Sequence, residues 1–158
     1  MKFQYDTYCG LYCGACDVLV ANEKGEVEKM AKEWKMKPED IKCCGCKTET
    51  NAIYCIDCGI KLCAEDKKVE FCFECKEFPC PRITAFRNDE HSHHSVVLKN
   101  LKTIQKKGVE KWLAEQEKRW RCSVCGERFC WYDKTCNKCG NKLYNCQAEE
   151  KDLKGDKY

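Results

Sequence analysis

Cysteine is the residue type in this chain whose number and spacing could do chemistry. Eighteen of the 158 residues are cysteine, a density at which a disulfide or metal scaffold is the default reading. The sharpest spacing lies near the C-terminus. Cys122-x2-Cys125-Gly126 is followed, ten residues on, by Cys136-x2-Cys139-Gly140. Two such knuckles predict a zinc ribbon, because Zn²⁺ takes four thiolates in a tetrahedron and a two-residue spacer lets both sulfurs of one knuckle reach one ion. The glycine after each pair permits the positive φ that aims backbone N–H groups at the sulfurs. Cys130 and Cys146 fall outside the knuckles and are read as non-ligand thiols.

The first half of the chain holds a denser array: Cys9, Cys13, Cys16, Cys43, Cys44, Cys46, Cys55, Cys58, Cys63, Cys72, Cys75 and Cys80. An internal repeat runs through it. Cys55, Cys58 and Cys63 have the spacing C-x2-C-x4-C, and Cys72, Cys75 and Cys80 have it again 17 residues on. Twelve thiols suffice for up to three four-thiolate sites, or for two with thiols left over. Zn²⁺ is the first expectation here as in the ribbon. A [4Fe–4S] cluster is the alternative, since it also takes four cysteines and Cys80-Pro81 matches the Cys-Pro that closes a ferredoxin run, although the rest of that spacing is absent.

Metal rather than disulfide follows from the expected compartment. The first residues, Met1 to Tyr8, contain no apolar stretch of signal-peptide length, so a reducing cytoplasm is expected, where dense cysteine binds metal more often than it forms disulfides. Other chemistries fare worse. Cys9, Cys13 and Cys16 have the C-x3-C-x2-C spacing of radical S-adenosylmethionine enzymes, but 158 residues with few strand patterns do not supply their large barrel. A thioredoxin-like use of a C-x2-C pair needs a βαβ frame, which the pattern lacks. No phosphate-binding glycine loop, nucleophile elbow or H-E-x-x-H helix is present, and no catalytic residue is nominated. His91, His93 and His94 cluster. An imidazole could complete a Cys₃His site, but a polar loop before a helix, with Ser95 as N-cap, is the favoured reading.

The elements that must position these thiols are short. Val27, Met30, Ala31 and Trp34 predict one face of a helix over 26–36, and Pro38 suits the first turn of a helical stretch over 38–41. Val97, Leu98, Leu101 and Ile104 predict a helix over 96–107 that Gly108 caps in the left-handed conformation. Val109, Trp112, Leu113 and Trp120 continue it as a hairpin or kinked helix, with Glu115 and Arg119 as an i,i+4 pair. The β-prone stretch 129–132 should be a strand, with 143–144 returning beside it. No run of about 20 apolar residues exists for a membrane span, mean hydropathy is −0.70, and 17 aromatic residues oppose general disorder.

The net charge of +3 is unevenly spread. Residues 1–81 carry −3, residues 82–121 carry +5, residues 122–146 carry +2 and residues 147–158 carry −1. A basic helical segment could touch nucleic acid, but it has no dense Lys/Arg run, and Trp131 and Tyr132 are more readily spent on packing than on base stacking. A four-thiolate site holding Zn²⁺ or [4Fe–4S]²⁺ contributes −2. Four such sites would take the chain from +3 to −5, which weakens the nucleic-acid reading further.

Three signatures in order, Tyr8 to Cys16 (YCGLYCGAC), Pro38 to Cys46 (PEDIKCCGC) and Cys72 to Cys80 (CFECKEFPC), resemble the cysteine-rich bacterial and archaeal domain-of-unknown-function family 3795. The resemblance covers about residues 5–121 and extends to members that end in a ribbon. It implies a cytoplasmic metal-binding module and supplies neither activity nor substrate.

The sequence thus predicts a small, metal-stabilised α+β protein. Its parts are a cysteine-rich, helical metal-binding module over 1–81, a basic helical hairpin over 82–121, a zinc ribbon over 122–146 and a polar, frayed tail over 147–158. The expected function is a non-catalytic multi-metal protein acting as a structural, adaptor or regulatory module for another protein. The alternative is an iron–sulfur protein that transfers electrons or senses redox state.

Overall fold

The structure, a computed structural model, describes residues 2–153. Eight short α-helices and four 3-10 turns are joined by tight loops. The helices are α1 (Asp17–Lys24), α2 (Val27–Trp34), α3 (Ile53–Ile56), α4 (Gly59–Lys67), α5 (Pro81–Arg87), α6 (Val97–Lys107), α7 (Val109–Arg119) and α8 (Cys146–Leu153). Among the described residues there is no strand; two isolated β-bridges, Arg121 with Arg128 and Thr135 with Lys142, are the only extended pairings. The expected α+β class is therefore corrected to a mostly helical chain. Each bridge closes one cysteine knuckle. Leu143 N–H donates to Lys134 O and Cys146 N–H to Trp131 O, both at 2.9 Å, so the chain after Lys142 does return beside 131–134, as expected, but without forming a strand.

The helices begin and end where local chemistry dictates. Cys16 is extended at the start of α1, and Gly25 closes that helix at φ 69°. The 3-10 turn Pro38–Ile41 starts on its proline, as does α5, because proline's fixed φ suits a first turn. On α2, Ala31 is buried, whereas Trp34 is 45% exposed. Trp34 is the last residue of α2.

The apolar periods of the central segment are seen as expected. Val97, Leu98, Leu101 and Ile104 of α6 and Trp112 of α7 are buried. Gly108 separates the helices at φ 85° and ψ 155°, an extended mirror-image conformation rather than the left-handed cap, so α7 starts afresh. Two further expectations change. Ser95 does not cap α6, whose N-cap is Val96; its hydroxyl is buried without a hydrogen-bond partner. Glu115 pairs with Lys107 (2.9 Å) and Arg119 with Glu149 of α8 (3.0 Å), not with each other.

Two apolar clusters form the core. The smaller is made by α1, α2 and the loop after them, through Val18, Leu19, Ala31 and Ile41. The larger runs from Cys9 and Tyr12 through α6 and Trp112 to Trp120, Phe129, Leu143 and Cys146. The C-terminal cysteine segment is thus packed into the same core as the first block. Arg128 reinforces this docking: Nε donates to Gly14 O (2.7 Å), and Nη1 pairs with Glu23 of α1 at 2.5 Å. Trp131 N–H donates to Ala15 O (2.9 Å). The expectation of a frayed tail fails over 147–153, where α8 forms and buries Leu153; positions 154–158 lie outside the described residues.

Candidate metal centres

The two C-terminal knuckles are built alike. Gly126 N–H donates to Cys122 O and Gly140 N–H to Cys136 O, both at 2.8 Å. Cys122 N–H reaches Glu127 O and Cys136 N–H reaches Asn141 O, again both at 2.8 Å. The glycines adopt φ 74° and 73°, as the sequence required. The knuckles face each other: Cys122 Sγ lies 3.6 Å from Cys139 Sγ, and Cys125 Sγ lies 3.5 Å from Cys136 Sγ. All four sulfurs fall within 4.8 Å of one another, and the set could hold a metal ion. Backbone N–H groups of Cys125 and Val124 pull the Cys122 thiol down to about 6, so this one sulfur is held towards the thiolate a metal needs, while Cys125 and Cys139 beside it are raised.

The two remaining C-terminal thiols stand apart from that set. Cys130 is hydrogen-bonded to Asp17, and burial, ahead of Asp17 and Asp133, pushes its thiol up. Cys146 is buried at the start of α8.

In the first block no cysteine is disulfide-bonded, and each is buried or half-buried. Short turns present them. Cys13 opens a 3-10 turn and Cys16 N–H donates back to Cys13 O (3.0 Å); Cys72 and Cys75 repeat this geometry at 3.2 Å. Cys43 is tied to α1, its N–H donating to Asn22 Oδ1 (3.1 Å). Cys55 lies in α3, Cys58 caps α4 and Cys63 lies within α4. Cys80 caps α5. Cys44 is held through its backbone, donating to Thr50 O and accepting from Gln4 N–H. The sequence repeat 55/58/63 and 72/75/80 is therefore not a structural repeat. The matching turns are 13/16 and 72/75, a likeness that the shared C-x2-C spacing carried in the sequence.

Burial dominates the electrostatics of this block. It pushes Cys9, Cys46, Cys55 and Cys72 up to about 12 and Cys16 to about 11. Hydrogen bonds from Thr7 and Leu11 on Cys9, and from Leu19 and Val18 on Cys16, oppose burial, and neighbouring thiols add to it. Cys16, Cys46, Cys43 and Cys9 act on Cys13. Cys43 and Cys16 act on Cys55, Cys9 and Cys58 act on Cys46, and Cys80, Cys63 and Cys75 act on Cys72. Such buried sulfurs stay neutral thiols unless a cation shares the site. Cys63, Cys72, Cys75 and Cys80 also line one small cavity of about 30 Å³, together with apolar groups such as Ile60 and Ile83.

A second set of donors lies in the histidine loop. Asp89 Oδ2 is 2.8 Å from His94 Nδ1, and Asp89 Oδ1 is 3.5 Å from His91 Nδ1; these three side chains could also hold a cation. No cysteine belongs to that set, so no Cys₃His site forms with it. His93 instead stacks on Trp131 at 4.1 Å between ring centres, and its Nδ1 lies 2.9 Å from Tyr132 Oη. Trp131 and Tyr132 thus have intramolecular partners, and Trp120 packs against Phe129.

The basic hairpin is partly neutralised where it sits. Lys99 and Arg119 both pair with Glu149, Lys107 with Glu115 and Arg121 with Glu117. No helix among the described residues is long and apolar enough to cross a membrane.

No curated protein and no solved structure matches the chain. A family model does, over residues 5–85, just over half of the sequence and the stretch that holds all twelve first-block cysteines. With its three cysteine signatures inside that match, the chain belongs to the family described as Protein of unknown function (DUF3795).

Proposed function

We propose that this protein is a non-catalytic, multi-metal thiolate protein that serves as a structural, adaptor or regulatory module for another protein in the cytoplasm. Its C-terminal knuckles form a zinc ribbon. The observation that carries the metal reading is the Cys122, Cys125, Cys136 and Cys139 set, whose cross-knuckle sulfur distances of 3.5 and 3.6 Å are close to the edge of a zinc–thiolate tetrahedron, about 3.8 Å from a Zn–S length near 2.3 Å. The first-block thiols, each buried or half-buried, extend the reading, since desolvated sulfur is a poor thiolate without a cation. The adaptor role rests on the absence of a catalytic constellation in the sequence and on exposed apolar side chains of α3 and α4, Ile53, Tyr54, Ile56 and Leu62, which suit a protein partner better than nucleic acid.

A second reading, an iron–sulfur protein that carries electrons or senses redox state, is favoured by one observation. Among the described residues the first-block sulfurs form no set of three or more within 4.8 Å, so they are more widely spaced than the ribbon's. Elemental analysis with a visible spectrum on anaerobically purified full-length protein tests both readings. Zinc at one equivalent or more, lost on chelation together with folded structure, is expected for the ribbon. A folded, metal-free protein would overturn the proposal.

A further inference from the structure

Sulfur spacing differs between the two halves of the molecule, and the difference has chemical content. A single ion bonded to four thiolates holds them about 3.8 Å apart. A [4Fe–4S] cluster bonds each thiolate to a different corner iron and so spreads them to roughly 6 Å. The ribbon sulfurs match the first case. In the first block no three sulfurs approach within 4.8 Å of one another, yet four of those cysteines surround one cavity. Cys63 reaches it from α4, Cys72 and Cys75 from the 3-10 turn, and Cys80 from the cap of α5. Its walls are otherwise mostly aliphatic and aromatic, including Ile60, Ile83 and Phe78.

Lys67, at the end of α4, lies at the same place. Its Nζ donates to Cys75 Sγ at 3.5 Å while pairing with Glu77 at 2.7 Å. Hydrogen bonds to ligand sulfur are one of the levers that set cluster potential.

We propose that Cys63, Cys72, Cys75 and Cys80 hold a [4Fe–4S] cluster, with Lys67 hydrogen-bonded to one of its thiolates. The proposal rests on the metal–thiolate reading of the first block and names the group and its four ligands. The C-x2-C-x4-C triplet supplies three ligands. The fourth comes from α4 across the cavity, which the sequence repeat alone would assign to a different site.

The test uses the full chain, expressed and purified anaerobically, with iron, acid-labile sulfide and zinc measured per chain. Wild type should carry about four irons and four sulfides at this site. Cys63→Ser and Cys75→Ser should each lose them while the ribbon zinc stays, which also reports that the variants remain folded. Lys67→Met should keep the iron and lower the reduction potential of the cluster in a dye-mediated titration. If Cys63→Ser and Cys75→Ser lose a zinc ion and no iron, the cluster assignment is overturned and the metal–thiolate reading stands. If neither variant loses any metal, both are overturned. An unchanged potential in Lys67→Met removes Lys67 from the site.

Discussion

At the scale of single residues, eighteen thiols of one chemical kind are sorted by their surroundings. Cys122 is pulled down to about 6 by two backbone N–H groups, whereas burial holds Cys9 and Cys72 up at about 12. Position, not acidity, separates ligands from bystanders in the C-terminal segment. Cys130 sits against Asp17 and Cys146 is buried among the hydrophobic core, both outside the four-sulfur set. Replacing Cys130 by Ala should leave metal content unchanged, whereas Cys136→Ser should lose one equivalent. Elemental analysis of the two purified variants decides, and metal loss in the Cys130 variant would put that thiol into a site. The knuckles were legible in the sequence because the whole ligand turn lies within five residues. The grouping of the first-block thiols was not, because it depends on contacts between residues as far apart as Cys9 and Cys72.

At the scale of elements, the loop before α6 shows how a local pattern was overruled. The sequence suggested a solvated histidine loop capped by Ser95. The structure instead lays His93 flat on Trp131 and leaves the Ser95 hydroxyl buried. Burial, reinforced by His94 and His91, lowers the His93 imidazole to about 3. The His94 ring lies 4.1 Å away between centres, Tyr132 Oη lies 2.9 Å from Nδ1, and the Asp89 charge opposes the lowering. The consequence has a definite sign. Below the ordinary histidine value of 6.5 the unfolded chain takes up a proton that the folded chain refuses, so this histidine's contribution is complete above that pH. It is lost as pH falls from there towards about 3, with a slope of at most about 1.4 kcal/mol per pH unit. Denaturant titrations of metal-loaded wild type and His93→Asn at several pH values between neutral and mildly acidic should show a steeper loss in wild type. Metal release contributes to both proteins and drops out of the comparison; equal slopes would contradict the assignment.

For the whole molecule, the boundaries visible in composition do not mark separate bodies. The expected modules over 1–81, 82–121 and 122–146 share one apolar cluster from Cys9 to Cys146. Arg128 bridges the C-terminal segment to Gly14 O and Glu23. Both partners are mostly shielded from water. Arg128→Ala leaves Glu23 with its Tyr5 hydrogen bond but no cation, and Gly14 O without its donor, and should cost on the order of 2–3 kcal/mol. Wild type should unfold in one transition, with Arg128→Ala shifted to lower denaturant and metal content preserved. Two separate transitions in the wild type would show that the halves fold independently.

The amino-acid sequence by itself determined what depends on near neighbours. It specified the knuckle turns with their positive-φ glycines, the apolar faces of α6 and α7, the proline-started turns and the cysteine signatures of the family. Those features are set by interactions within a few residues, which spacing and side-chain type record directly. Only the tertiary structure decided that no strand forms among the described residues, that Glu115 and Arg119 choose other partners and that α8 packs its Leu153 instead of fraying. It also decided that Cys63 faces the 72/75/80 triplet rather than its own repeat. Each of these turns on burial against, or charge from, residues beyond the reach of a local spacing rule. Burial and charge act through space, and one sequence without its fold does not say which distant residues will be near.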